Sequence, residues 1–344
     1  HQSSLFHRGN LLFQEFRDMS IHRIGIIGLG TVGSRFVEQF NLHSSFDLVS
    51  AWDPSADACA RNESAVKIAS DANAVIANVD AVYIAVPPMF HKAYVEKCLS
   101  AKKGIFCEKP LGISVEDSKE LVASVVESGL PAGVNFVFSA APSAVGLQEA
   151  VKSGAIGDVI RGDLRLHFAE WPRAWHKLAQ WLRKRDQGGW VREVVSHFLF
   201  LAARTLGPLK LTDAAVSYPD GPRGELCERE ATAHFDCGEK KCAMVMIGSS
   251  EGVGPDIVEF VVRGTKSSMR IWNWYMLQST VGSHWQDVLS TDRVKLGKDA
   301  YAAQLDQLAL MLEGKPHTIA TFEEALAVQE LVEQILTPKN RPSL

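Results

Sequence analysis

From position 23 onward, short runs of β-branched and aromatic residues alternate with stretches whose apolar positions recur at helical spacing. The runs at 23–29, 46–53, 65–70, 81–86, 104–109 and 132–138 are apolar nearly throughout, as strands buried on both faces of a sheet must be. Helices are expected between them, near 32–41, 91–101 and 114–128. The last opens on Ser114, a good capping residue, with Asp117 at the capping-box position. This order predicts an α/β unit with a doubly wound parallel sheet over 20–141.

After about Pro142 the pattern changes. Strand-like segments at 228–237, 240–250, 256–265 and 267–275 follow one another with no helix between, joined by Gly, Lys and Ser turns, which predicts antiparallel pairing. Amphipathic helices at 302–313 and 322–336 close the chain. The second unit, 142–344, is therefore expected to be α+β with a mainly antiparallel open sheet. Residues 1–18, ahead of Met19, show no clear period and are read as an added or upstream segment outside the fold.

A chain of 344 residues, 46% apolar, is long enough for two such domains. Acidic residues outnumber basic ones, 40 to 36, so the basic excess of a nucleic-acid binder is missing. No apolar run reaches the roughly 18 residues that span a bilayer, and no basic segment leads into an apolar signal core. A soluble, cytoplasmic protein acting on a small molecule is expected, with no membrane or nucleic-acid partner. The six cysteines are scattered, as reduced thiols are. Cys237 and Cys242 lie near His234, but their spacing suits no familiar zinc pattern, and no metal is expected.

The first strand runs into Gly28-Leu29-Gly30-Thr31-Val32-Gly33, a GxGxxG turn leading into a helix. Gly28 permits the tight turn, Gly30 lets backbone approach a pyrophosphate, and Gly33 allows close helix packing. Thr31 and Val32 begin the helix whose N-terminus faces the phosphates. Asp53 ends the second strand about twenty residues on. There its carboxylate suits the ribose hydroxyls and repels a 2′-phosphate, favouring NAD, although the position also suits an aspartate capping the loop before Pro54. Arg61 and Ser55 leave NADP open.

Two further motifs carry a family resemblance: Val86-Pro87-Pro88-Met89-Phe90-His91 and Cys107-Glu108-Lys109-Pro110-Leu111-Gly112. With the Gly264-Thr265-Lys266-Ser267 turn and the terminal helix pair, the chain from Ile21 onward resembles the glucose-fructose oxidoreductase, inositol dehydrogenase and rhizopine-catabolism family, Gfo/Idh/MocA. Lys109 ends a parallel strand at its carboxyl edge, where open α/β sheets bind ligands, and Pro110 restricts its backbone. The resemblance implies that Lys109 hydrogen-bonds the reacting hydroxyl. Glu108 and Pro87 are assigned to the cofactor, as is His91, which alternatively caps its helix.

The stretch from Gly188 and Gly189 to Glu193 and His197 is similar to the family's Asp-x-x-x-His segment, with Glu for Asp. On a helix, residues four apart share a face. The resemblance makes His197 the general base, a role that suits an imidazole. On its own, a histidine in so apolar a helix reads as a core residue. Zinc at Glu193 and His197 lacks a third ligand. Asn135 is expected at the substrate, but Val137 and Phe138 stand where the family often has arginine, so ligand choice is expected to differ. Trp171 to Trp181 interleaves aromatic and basic residues and is read as a loop over the substrate, with Trp175 and His176 in contact and Arg173 or His176 able to donate to hydroxyls or a carboxylate.

The implied activity is hydride transfer between a nicotinamide cofactor and a secondary alcohol or ketone of a sugar, inositol or related polyol. Rival readings are a non-catalytic dinucleotide sensor and an enzyme holding NADP tightly between two sugars. An outward sheet face rich in Val, Met, Ile and Trp is expected to make a homodimer or homotetramer.

Overall fold

The computed structural model describes residues 20–176, 179–220 and 225–338, so the segment 1–18 lies outside the described residues. Strands β1 (His22–Ile27), β2 (Phe46–Trp52), β3 (Ala81–Ile84), β4 (Gly104–Glu108) and β5 (Ala132–Asn135) form a parallel sheet in the order β2-β1-β3-β4-β5. Helices α1 (Thr31–Leu42), α2 (Ala56–Asn62), α3 (Ala72–Ala77), α4 (His91–Ser100) and α5 (Val115–Ser128) connect these strands. Ser114 caps α5 by accepting the Asp117 N–H at 3.2 Å.

The period-two alternation of strands divides this sheet into two cores. Ile24, Ile26, Tyr83 and Phe106 point to one face, against Phe36 and Phe40 of α1. Val82, Ile84, Ile105 and Cys107 point to the other, against Val75 of α3, Val95 of α4 and Leu121 of α5. Each large apolar side chain so buried contributes roughly 1.5–3 kcal/mol. The run at 65–70, expected as a strand, makes only a single bridge from Ile68 to Ala51. It lies at the sheet edge, and the chain turns at once into α3, where the Asp71 carboxylate accepts the Ala74 N–H at 2.8 Å.

The second sheet has eight strands: β6 (Val159–His167), β7 (Leu209–Ser217), β8 (Glu230–Cys237), β9 (Cys242–Ser249), β10 (Ile257–Gly264), β11 (Ser268–Trp272), β12 (Met276–Val281) and β13 (His284–Asp287). Their order is β13-β12-β11-β10-β6-β9-β8-β7. Pairing is antiparallel except between β6 and β9, because the earlier strand β6 inserts between the consecutive strands β9 and β10. Helices α6 (Pro142–Lys152) and α7 (Ser196–Leu206) precede most of this sheet. Its inner face, with Met244, Met246, Phe235 and Phe260, packs on Trp190 and on Phe198 of α7.

Of the Val, Met, Ile and Trp expected on the outward face, both methionines of β9 point inward, while Ile160 and Ile247 are exposed. The same sheet carries ion pairs of Arg263 with Asp163 and of Arg270 with Glu259.

Two helices finish the chain, α8 (Arg293–Leu312) and α9 (Phe322–Leu336). Helix α8 begins well before the expected 302, capped by the Asp292 carboxylate on the Lys295 N–H. Its Leu305, Leu308 and Ala309 return to the first sheet and complete the core beneath Phe36.

Candidate active site

The glycine turn after β1 leaves a cradle open at the N-terminus of α1. Gly28 has φ of +103°, and a Cβ there would lie 2.5 Å from the Ala85 backbone. A Cβ on Gly33 would sit 1.9 Å from the Gly28 carbonyl oxygen, so the close approach is between the helix and the turn itself. A Cβ on Gly30, in contrast, would meet nothing within 4 Å. No side chain caps α1, so its first N–H groups face this open space. Those features fit a pyrophosphate. Replacing Gly33 by alanine is expected to cost about 1–3 kcal/mol or more by overpacking and to abolish NAD binding. Thermal melting and NAD titration check this, and an unchanged affinity would contradict it.

Gly30, Thr31, Val32, Asp53 and Pro87 line a crevice of about 490 Å³ that runs to Lys109 and Glu193. Asp53 does two local jobs: it accepts the Leu29 N–H at 2.7 Å and the Ser55 N–H at 2.8 Å. It thus braces the glycine turn while its carboxylate still edges the crevice. His91 is placed elsewhere. Fully buried, it sets its ring nitrogens 2.8 Å from the Val86 and Pro110 carbonyl oxygens, tying the loop after β3 to the turn after β4.

Beside the crevice lies a cavity of about 370 Å³, and Val32, Glu108, Lys109 and Glu193 line both spaces. Lys109 is buried, and its ammonium donates to the Glu193 carbonyl oxygen at 2.7 Å and is ion-paired with the Glu193 carboxylate at 2.8 Å. An ammonium has three N–H donors, so at least one remains for a ligand. Glu108 faces the same place from behind. Its buried carboxylate accepts from the Tyr83 hydroxyl and from Asn135 Nδ2 at 2.6 Å, and burial pushes its carboxyl above the usual range. Asn135 in turn accepts from Gln304 at 3.2 Å while lining the cavity.

Glu193 and His197 do not share one regular α-helix. Val191–Val195 is a π-helical turn that runs into α7 at Ser196. Such wider turns re-aim side chains and recur at functional sites. His197 opens on the cavity with Lys109, its ring set edge-on to Phe136, Phe138 and Trp274. Burial, then the charges of Lys109 and Arg173, hold its pKa well below the ordinary value, so the ring is neutral near pH 7. His176 lines the crevice, not the cavity, 3.9 Å from the Glu193 carboxylate. Burial lowers its pKa to about 4.

Trp175 lines the cavity with Arg173, but several other wall residues carry no local signal in the sequence. Arg35 comes from the second turn of α1, Trp274 and Tyr275 from the turn after β11, and Arg293, Tyr301 and Gln304 from α8. Only Arg35, two positions after the GxGxxG motif, had a clue in its placement. Among the described residues no cluster of His, Cys, Asp and Glu suits a metal ion, and no helix is long and apolar enough to cross a membrane.

Residues 22–136 match the oxidoreductase family with an NAD-binding Rossmann fold, and residues 148–337 match its C-terminal alpha/beta domain. The chain is 26% identical over 266 residues to 2,7-anhydro-N-acetylneuraminate hydratase of Escherichia coli (strain K12), covering 75% of this chain and 68% of that one. It is 32% identical over 142 residues to inositol 2-dehydrogenase of Acidothermus cellulolyticus, covering 39% of this chain and 42%, less than half, of that relative. The solved structure of an oxidoreductase from Agrobacterium radiobacter in complex with NAD+, L-tartaric acid and magnesium has the same fold, with a TM-score of 0.77 at 17% identity over 93% of this chain and 98% of that one. With both family domains matched in order along a chain that folds as they do, this protein belongs to the Gfo/Idh/MocA family of NAD-binding oxidoreductases.

Proposed function

We propose that this protein interconverts a secondary alcohol and its ketone on a sugar, inositol or related polyol. The observation that carries the reading is the shared wall: Lys109 and Glu193 border both the nucleotide crevice and the cavity, and His197 lines that cavity beside them. When bound, the nicotinamide cofactor supplies the hydride acceptor or donor. The remaining work falls to this chain. Lys109, held by a hydrogen bond to the Glu193 carbonyl and an ion pair with its carboxylate, directs a remaining N–H at the substrate oxygen and stabilises the charge that forms as the hydroxyl proton leaves. His197, kept neutral, has a lone pair to receive that proton, and in reduction the imidazolium returns it to the carbonyl oxygen.

Glu193 is a positioning residue in this scheme, its longer side chain used to grip the lysine. Trp175, its ring packed against Arg35 and Arg173, offers an edge to the substrate, Asn135 a polar edge, and His176 a buried wall where crevice and loop meet. We take 20–141 as the dinucleotide-binding unit and 142–344 as the substrate-binding unit; α8 of the second lies on the sheet of the first. A homodimer or homotetramer would use the outward face of the eight-stranded sheet. The free cysteines suit the reducing cytoplasm.

A spectrophotometric screen of sugars, inositols and polyols with NAD and NADP at alkaline pH tests the activity. Reduction of a cofactor by at least one of them is expected. No reduction by any would favour the sensor reading. Asp53→Ala is expected to weaken NAD about tenfold or more and to narrow the preference over NADP, because a charged hydrogen bond is worth about 1.5–3 kcal/mol. Fluorescence titration with both nucleotides measures it, and an unchanged preference would remove Asp53 from ribose recognition.

A further inference from the structure

We infer that the substrate carries an anionic group, a carboxylate or a phosphate, seated against Arg35, Arg173 and Arg293. This deepens the proposed function and rests on the cavity being the substrate site. Three separate elements deliver the three guanidinium groups to one wall: α1, the loop after β6, and the start of α8. None of the three is ion-paired to a carboxylate among the described residues. Arg35 donates to the Tyr301 hydroxyl at 2.9 Å and Arg293 to the Asn273 carbonyl at 3.2 Å. Arg173 Nε is buried with no hydrogen-bond partner.

Aromatic faces hold Arg35 and Arg173 in place and carry no charge to neutralise them. The Trp175 ring lies 4.8 Å from the Arg35 guanidinium and 4.9 Å from that of Arg173, and the Trp274 ring lies 5.5 Å from Arg173. The guanidinium edges, where a planar oxyanion is bound through paired N–H donors, are left for a ligand. Among the described residues, the carboxylates on the cavity wall are otherwise engaged: Glu193 with Lys109, and Glu108 with Tyr83 and Asn135. Four cations therefore face two carboxylates there. Burial is the largest influence on Arg173 and lowers its pKa; the carboxylates of Glu193 and Asp256 oppose it, and Arg293 and Arg35 add a smaller lowering that a bound anion would relieve. The nucleotide's own phosphates do not account for the cluster, since among the described residues no arginine lines the crevice at the glycine turn.

The test uses the full chain with NAD and matched substrates: a neutral sugar or polyol, the same skeleton as its uronate or aldonate, and its phosphate ester. The anionic member is expected to have the higher kcat/KM, and the better of the two anions identifies the group. Arg173→Gln should raise KM for it by about 30-fold or more, with a smaller effect on kcat, and Arg173→Lys should fall between. Arg293→Gln, at the exposed rim, serves if the Arg173 variants fail to fold, and should raise KM in the same sense. Neutral members turned over as well as anionic ones would overturn the inference and leave the dehydrogenase reading intact. If nothing is turned over, that reading fails by itself, and tryptophan quenching of the NAD-loaded protein decides the inference. Saturable quenching by the anionic member alone, lost in Arg173→Gln, upholds it. Equal or absent responses overturn it.

Discussion

Lys109→Met is expected to lower kcat by about 10²–10³-fold, the usual cost of removing one donor aimed at a developing oxyanion. NAD binding should survive, because the glycine turn and Asp53 do not touch this side chain. The ammonium sits where crevice and cavity meet, buried and fixed by Glu193 through both its carboxylate and its carbonyl. Removing the lysine also strands the Glu193 carboxylate in a partly buried place, which carries its own penalty. The double variant Lys109→Met with Glu193→Gln separates the two effects: it should recover thermal stability and not turnover. Steady-state rates beside NAD titration make the measurement. A Lys109→Met protein that keeps most of its turnover would remove the lysine from the chemistry.

Replacing His197 is expected to cost about 10²–10⁴-fold in kcat, the range for a positioned general base. Phenylalanine is the better replacement, since the ring already packs edge-on against Phe136, Phe138 and Trp274 and an alanine would leave a void. The pH profile gives an independent reading. Burial and the cations Lys109 and Arg173 depress the imidazole pKa below 6.5. The neutral, proton-accepting form therefore persists into mild acid. The acid limb of kcat/KM for alcohol oxidation should lie below pH 6.5, with the rate rising as pH climbs through the depressed pKa and then reaching a plateau. His197→Phe should lose that limb. A limb at or above pH 6.5 would point to another base.

His91 shows how a motif read locally acquires a different meaning in the fold. Its position after the third strand suggested contact with the cofactor. Both ring nitrogens instead face backbone carbonyls, one on each of two loops that border the crevice. The histidine shapes the site from behind. Asp53 meets the local reading of its position, since it accepts the Leu29 and Ser55 N–H groups and braces the turn at the edge of the crevice.

The parts legible in the chain by itself were those whose physics is local. Continuous apolar runs report strands of a sheet buried on both faces, because alternate side chains point to opposite sides, and GxGxxG reports a phosphate cradle because Gly28 takes a positive φ and Gly33 packs against the turn. A lysine before proline at a strand's carboxyl edge is marked in the same way. The tertiary structure decided what depends on segments far apart. Lys109 meets Glu193 across 84 residues, β6 inserts between two later strands, and α8 crosses back to cover the first sheet. The arginine-lined wall belongs to this second kind. Nothing in the local pattern tells an arginine bound for solvent from one that packing will turn toward a shared cavity, because that outcome is set by how the whole chain buries its apolar faces.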